Sequence, residues 1–132
     1  MSDNSVLDRI RDTLTALAAD QAVPMEGVWY GAVREKQLPR WNYFVFNRAR
    51  TTKNNTSRND FQTFYQVHVV HEDFIPEGYV QKVIEALQMQ DESGTKLKAT
   101  AEDSRYNYTY KGNTTMVVEI ATIGLYHPEK RC

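Results

Sequence analysis

The sequence predicts an α+β fold, in which an antiparallel sheet of about five strands carries two helices packed on one face. Two stretches repeat apolar residues at helical spacing, and several shorter runs are rich in β-branched and aromatic residues. The expected order is helix, three strands, helix and two strands. Short turns between consecutive strands favour antiparallel pairing, and 132 residues are expected to form a single domain, 1–132.

The first helix is predicted from about Asn4 to Asp20, with Asn4 or Ser5 as its N-cap. One face of this helix carries an apolar stripe, formed by Val6, Leu7, Ile10, Leu14 and Leu17. The opposite face is expected to meet water with Asp8, Arg9, Arg11 and Asp12.

Two strands are expected next, from Val28 to Val33 and from Trp41 to Arg48, with a turn around Pro39 between them. The segment from Thr51 to Asn59 contains no apolar residue, which predicts a long polar loop.

The stretch from Phe61 to Gln88 predicts a strand, a tight turn and an amphipathic helix. Its strand is rich in β-branched and aromatic residues, and Pro76 ends the strand region because proline cannot donate to a β-ladder. Its helix has apolar residues at helical spacing, at Val80, Val83, Ile84 and Leu87. The chain then closes with a strand near Lys96 to Tyr110 and another from Thr114 to Tyr126.

The last of these strands is apolar on both faces. The residues on the two sides are Met116, Val118 and Ile120, and then Val117, Glu119, Ala121 and Ile123. Two helices cover only one face of such a sheet. Either the sheet curls and covers its second face itself, or a neighbouring subunit covers it. The second interpretation makes Val117, Glu119, Ala121 and Ile123 candidate subunit-interface residues.

The composition of the chain argues against several classes of function. The net charge of −1 gives no overall electrostatic case for a nucleic-acid binder. The single cysteine, Cys132, excludes an intramolecular disulfide and fits a reducing compartment. No apolar run approaches the length of a membrane span, and the polar N-terminus is unlike a signal peptide. We therefore expect no membrane partner.

No motif predicts catalysis, a cofactor or a metal. His68 and His71 are separated by an odd number of strand positions, so they are expected to point to opposite faces. The six glycines are scattered, so no phosphate-binding loop is present, and no serine occupies a nucleophile elbow. The sequence predicts a protein that is not an enzyme.

A stripe of tyrosines invites comparison with sheet modules that stack nucleic-acid bases. The candidate aromatic residues are Tyr106, Tyr108, Tyr110, Tyr43, Phe44 and Phe46. The candidate phosphate-binding residues are Arg48, Arg50, Lys53 and Arg58. Cross-strand aromatic packing with a solvated loop explains the same residues, and the order of elements and the acidic net charge favour that explanation.

The succession of elements resembles the tail terminator and tail completion proteins of long-tailed bacteriophages. The strongest local similarity is the strand FYQVHVV followed by a helix that ends in IEALQ. The resemblance implies a non-enzymatic virion protein, made in the host cytoplasm, that forms a ring, typically a hexamer. Such a ring caps the tail tube at the head–tail junction and presents the surface where the head connector docks.

The resemblance also implies partners. The partners would be further copies of the chain, the tail tube protein, the head connector or head-completion protein, and DNA that passes through the lumen without sequence-specific binding. The polar loop has no clear counterpart in that family. Its composition cannot bury a core, and on that ground it is expected to contact a partner ring through Arg50, Lys53, Asn54, Asn55 and Arg58.

Two other functions stay open at this stage. The chain could be a different head–tail connector or tail-tube component. It could also be a small α+β enzyme or ligand-binding domain with an aromatic pocket lined by Trp29, Trp41 and Tyr43.

Overall fold

The computed structural model describes residues 3–20, 23, 25–32, 40–53, 61–89, 97–100 and 105–126. It contains two helices, α1 (Asp3–Ala18) and α2 (Tyr79–Gln88). Its strands are β1 (Val28–Tyr30), β2 (Tyr43–Lys53), β3 (Phe61–Glu72), β4 (Lys98–Ala99), β5 (Arg105–Tyr110) and β6 (Val117–Tyr126). The protein is an α+β fold with an N-terminal helix, which confirms the predicted class. No helix in these ranges is long and apolar enough to cross a membrane.

The strands form one mixed sheet in the order β1-β2-β3-β6-β4, and β5 also pairs with β6. Both β4 and β5 pair antiparallel with β6, so they share the sheet edge beyond it. Within the described residues, the single predicted strand from Lys96 to Tyr110 corresponds to two edge strands, β4 and β5. The expectation of a purely antiparallel sheet was wrong, because β1 pairs with β2 in parallel.

The predicted polar loop from Thr51 to Asn59 was wrong for its first three residues. Strand β2 continues to Lys53, with Arg50 paired to Phe64 after a register shift that follows Arg48. Residues 51–53 are polar but still pair with β3, because a hairpin of two strands that extends beyond the sheet does not need buried side chains. The predicted contacts of Asn54, Asn55 and Arg58 lie outside the described residues.

Both helices pack on the same face of the sheet, which we call the helix face. The core beneath them combines α1, α2 and alternate residues of the three long strands. Its strand residues are Phe44, Phe46, Tyr65, Val67, Val69, Ala121, Ile123 and Leu125. The register aligns them across the sheet, with Val67 opposite both Phe46 and Ile123. Because successive side chains of a strand point to opposite faces, one set of apolar residues from each of these strands faces the helices.

Arg9 is buried, which corrects the expectation that it faces water. Its guanidinium donates to the backbone carbonyls of Ala86 and Met89 at the end of α2, and to the Thr13 hydroxyl. The last carbonyls of a helix lack intrahelical donors and carry partial negative charge, so a cation is stabilising there. Arg9 therefore joins the two helices through the C-terminus of α2.

The turn before α2 uses a left-handed residue. Gly78 precedes the helix with φ of 82°, a conformation that favours glycine. Glu77 lies in this turn beside Gly78, and the first turn of the helix contains no acidic residue. At the other side of the turn, Lys82 of α2 forms a 2.7 Å ion pair with Asp20, just beyond α1. This exposed pair contributes little to stability.

Candidate assembly surface

The edge strand β5 presents a row of tyrosines on the helix face. All six of its residues are exposed, and Tyr108 and Tyr110 keep 62% and 61% of their surface in water. The register places Tyr106 opposite Ala121, Tyr108 opposite Glu119 and Tyr110 opposite Val117. Within the described part of the chain, β5 pairs only with β6, which leaves its outer backbone groups without a strand partner.

Glu119 anchors this row to the rest of the fold. One carboxylate oxygen accepts the Tyr108 hydroxyl at 2.8 Å, and the other accepts the Ile75 backbone N–H at 2.7 Å. The hydrogen bond to Glu119, followed by a small desolvation effect and the nearby negative charge, raises the pKa of the Tyr108 phenol. Both oxygens of Glu119 are therefore occupied by groups of the protein itself.

The segment between β3 and α2 forms one wall of a groove beside the tyrosines. Asp73 adopts a positive φ of 64°, and its N–H donates to the Val117 carbonyl at 2.7 Å. This hydrogen bond holds the segment after β3 close to the first residue of β6. The groove has a volume of about 700 Å³, and its lining includes Phe74, Ile75, Pro76, Val80, Ile84 and Tyr106.

Exposed apolar side chains continue along the same end of the sheet. They are Phe74, Tyr106, Tyr108, Tyr110, Met116 and Val117, which together we call the tyrosine edge. Phe74 is 67% exposed, which is unusual for a large apolar residue beside a groove. Several large apolar side chains exposed at one end of a sheet are typical of a binding surface.

The tyrosine edge contains only part of the predicted interface. Val117 is exposed and Glu119 half-buried, so both lie where a partner could reach them. Ala121 and Ile123 keep 0% and 1% of their surface exposed, because the helices cover their side of β6. Their assignment to a subunit interface was wrong. Their alternation with Val118 and Ile120 was right, but the helices occupy the face that was expected to stay open.

Sequence reasoning missed Phe74 and Met116 as surface residues. No periodicity singles out Phe74, because it lies in an irregular segment between a strand and a helix. The structure places it at the groove between α2 and Tyr106, with most of its side chain in water.

The opposite side of the sheet, which we call the open face, has a polar centre. His68 lies there, with its Nδ1 3.0 Å from the Thr122 hydroxyl and its Nε2 3.0 Å from the Asn47 side-chain oxygen. A neutral imidazole satisfies both contacts by donating from Nε2 to Asn47 and accepting from Thr122. Burial lowers the pKa of His68, because it penalises the charged form.

One end of the open face is held by an ion pair. Glu72 accepts the Trp41 N–H at 2.7 Å and contacts the Lys111 ammonium. Desolvation of Glu72 opposes its ionisation. The hydrogen bonds from Lys111 and Trp41, with the charges of Lys111 and Arg40, outweigh this and lower the pKa of Glu72. The pair ties the β5–β6 turn to the end of β3.

The geometry also locates the residues of the other predicted sites. His68 and His71 point to opposite faces, and His71 contacts the Glu72 carbonyl at 2.8 Å. Within the described ranges, no three potential ligands converge on a metal site. Trp29 and Tyr43 meet edge to face at 5.8 Å on the open face, and neither lines the groove.

The aromatic residues proposed to stack bases are divided among three environments. Tyr43 lies on the open face, against Trp29. Phe44 and Phe46 lie in the core, where Phe44 stacks on Tyr79. The three tyrosines of β5 are exposed on the helix face. The proposed set therefore forms no single aromatic platform.

No protein-family model matches this chain, and no curated protein matches it. Twenty-two chains of known structure match its fold. One of them, whose name states no function, is 14% identical with a TM-score of 0.58. That similarity covers 100% of this chain and 99% of the other. At this level of identity it supports the fold alone.

Proposed function

We propose that this protein is a structural component of a phage virion that assembles into a ring, with a hexamer as the expected form. The ring would cap the tail tube and join it to the head connector. The observation that carries the proposal is the tyrosine edge, an exposed aromatic strand at the border of the sheet. Exposed edge strands readily pair with another chain, and proteins that stay monomeric usually protect them.

The shape of the sheet supports head-to-tail assembly. The tyrosine edge lies at one border of the sheet and β1 at the other. A contact between two different surfaces on opposite sides of a subunit is heterologous, and such contacts generate closed rings when the rotation closes. We therefore propose that the tyrosine edge of one copy meets the β1 side of the next copy.

A charge-insertion experiment tests this contact. The double variant Tyr106→Lys, Tyr110→Lys places charges on exposed side chains, so its thermal midpoint is expected to stay close to that of the wild type. Its assemblies should fall apart to the 15.3 kDa monomer in sedimentation-velocity ultracentrifugation, because the lysines would be buried without partners in the contact. Electron microscopy of the wild type should show rings that bind the ends of purified tail tubes.

Met89→Lys is the matched control. Met89 is 68% exposed at the end of α2 and lies outside the tyrosine edge, so this charge should leave the particle mass unchanged. Particles of wild-type mass in the double variant would contradict the proposed contact. A wild type that stays monomeric at high concentration, and does not bind tail tubes, would refute the function.

The groove also has the size of a small-molecule pocket, and this supports a ligand-binding domain as a second candidate. A pocket of that kind needs polar groups that orient the ligand. The carboxylate of Glu119 at its wall already accepts two hydrogen bonds from the protein. The assembly proposal accounts for the exposed tyrosines as well as the groove, and we therefore prefer it.

A further inference from the structure

The hydrogen bonds of the sheet fix which backbone groups lie on the outer edge of β5. The Val117 carbonyl accepts the Asp73 N–H at 2.7 Å, so the backbone groups of Val117 point towards β3. In an antiparallel ladder both backbone groups of a residue point to the same side, and successive residues alternate. Tyr110 is opposite Val117, so its own groups point away from β6. By the same alternation, the N–H and C=O groups of Tyr106 and Tyr108 also point out of the sheet.

The outer edge of β1 can be assigned in the same way. The backbone of Gly27 accepts a hydrogen bond from β2 at 3.1 Å, and that of Gly31 donates one to β2 at 2.9 Å. By alternation, the backbone groups of Val28 and Tyr30 point away from β2. Among the described residues β1 pairs with no strand other than β2, so these groups face outwards at the other border of the sheet.

The two edges agree in the direction of their side chains. Val28 and Tyr30 pack against the core beneath the helices, and the three tyrosines of β5 stand on that same helix face. On both edges, therefore, the residues with outward backbone groups have their side chains on the helix face. Opposite residues of an antiparallel pair share a face. Two copies can thus continue one sheet with their helices on the same side.

The directions of the strands are also compatible. Strand β1 runs parallel to β2 and β6, whereas β5 is antiparallel to β6. A rotation that preserves strand direction, as in a ring, brings β5 of one copy antiparallel to β1 of the next. Pairing of two β5 strands about Tyr108 would instead place Arg105 of each copy opposite Lys111 of the other. Like charges in opposite positions are destabilising, so the edges favour pairing of β5 with β1.

We propose that the copies join by main-chain pairing, in which β1 of one copy adds to β5 of the next as an antiparallel strand. This inference rests on the ring proposed above and specifies its contact. The register with the longest overlap sets residues 26–31 opposite residues 105–110, with Val28 opposite Tyr108 and Tyr30 opposite Tyr106. It provides aromatic and β-branched cross-strand pairs on the helix face and satisfies outward backbone groups of both edges.

Paired substitutions at Tyr108 test this contact. Tyr108→Pro and Tyr108→Ala both remove the ring, but only proline removes the outward N–H, and an edge strand tolerates proline where the N–H points away from the sheet. The two thermal midpoints should therefore lie within about 5 °C of each other. In sedimentation velocity over a concentration series, the proline variant should assemble at least about tenfold more weakly, because the Val28 carbonyl loses its donor in the contact.

Two further substitutions check the edge assignment and the partner strand. Thr109→Pro removes an N–H that points to β6, so it should lower the thermal midpoint of the subunit by about 10 °C or more. Val28→Pro, compared with Val28→Ala, removes an outward N–H from β1 and should weaken assembly about as strongly as Tyr108→Pro. Assembly that Val28→Pro leaves unchanged would assign the contact to a different edge and overturn the proposal.

Amide hydrogen exchange provides a readout on the wild-type chain. Assembly should slow the exchange of the Tyr106 and Tyr108 N–H groups at least about tenfold, whereas the Thr109 N–H should be protected in the monomer as well. A contact made by side chains alone would leave the two tyrosine N–H groups in fast exchange in the assembled protein, and that result would overturn the pairing.

The same sedimentation data separate this inference from the ring. Assemblies that form equally well with Tyr108→Pro and Tyr108→Ala would refute the main-chain pairing and leave the ring standing. A wild type that stays monomeric at high concentration would refute the ring and the pairing together.

Discussion

The two faces of the sheet are built from the same strands but have different environments. On the helix face, Phe46, Val67 and Ile123 align in one row and are almost completely buried. On the open face, the neighbouring row contains His68 and Thr122, which are only half-buried. Other residues of the open face, Val70 and Val118, are nevertheless buried. Burial alone therefore does not distinguish the two faces. The helices, and the single core that they close, make the difference.

The largest effect should come from a charge placed on the wrong face of β6. Ile123→Asp would bury a carboxylate without a partner in the core, and we expect a loss of about 4–5 kcal/mol, close to the whole stability of a small domain. Ile120→Asp is the matched control. Its side chain is half-buried on the open face, so a loss of about 1–2 kcal/mol is expected. Urea unfolding followed by circular dichroism measures both, and equal losses would contradict our assignment of the faces.

The next effect concerns the join between the helices. Arg9→Met should destabilise the protein by about 2–3 kcal/mol, because the carbonyls of Ala86 and Met89 lose a charged donor in a buried place. Arg11→Met serves for comparison, since Arg11 is exposed and forms a 3.2 Å surface pair with Asp8. That change should cost less than about 1 kcal/mol. Similar unfolding midpoints for the two variants would show that Arg9 does not hold α2.

A smaller effect of opposite sign is expected at Tyr79. Its hydroxyl is buried without a hydrogen-bond partner among the described residues, so Tyr79→Phe should raise the free energy of unfolding by about 1 kcal/mol. Desolvation, with a contribution from Asp20, raises the pKa of Tyr79 from 10.0 to about 12. Above pH 10.0 the unfolded chain loses a proton that the folded protein keeps, so stability falls as pH rises towards about 12.

The Tyr79→Phe variant should show a smaller alkaline loss than the wild type, which thermal melts from about pH 9 to about pH 12 would detect. The loss that remains would come from Tyr43 and Tyr108, whose pKa values are also raised. Tyr110→Phe is the control, because Tyr110 is exposed on the tyrosine edge. It should leave both the neutral-pH stability and the alkaline loss intact. Destabilisation by Tyr79→Phe at neutral pH would mean that the hydroxyl has a partner that stabilises the fold.

The smallest effect should be the acid sensitivity of the open face. Burial lowers the pKa of His68 below 6.5, so the unfolded chain takes up a proton before the folded protein does. Stability is then complete above pH 6.5 and falls as pH decreases towards the lowered pKa. His68→Gln should flatten this slope in chemical unfolding between about pH 7 and about pH 5. His71→Gln retains His68 and should retain the slope. An unchanged slope in the His68→Gln variant would assign the acid sensitivity to another group.

The sequence by itself determined the α+β class, the helices and most strands. Ile10, Leu14 and Leu17 lie on one face, and can be buried together, only if their segment is helical. The alternating apolar residues of β3 and β6 lie on one face only if those segments are strands. Alternation also showed that Ala121 and Ile123 share a face. It could not show which face of the sheet the helices cover, because the residues on both faces of β6 are mostly apolar.

Only the tertiary structure decided the features that depend on neighbours distant in the chain. The parallel pairing of β1, the burial of Arg9 and the exposure of Phe74 are three such features. The row that runs from Arg50 to Lys98 on the open face is another, since these two residues are far apart in the chain and are placed in one row by the register of four strands. The sequence pattern of one segment indicates which of its side chains can be buried together. Which surfaces remain in water depends on how segments pack together, and that is where the candidate surfaces of this protein arise.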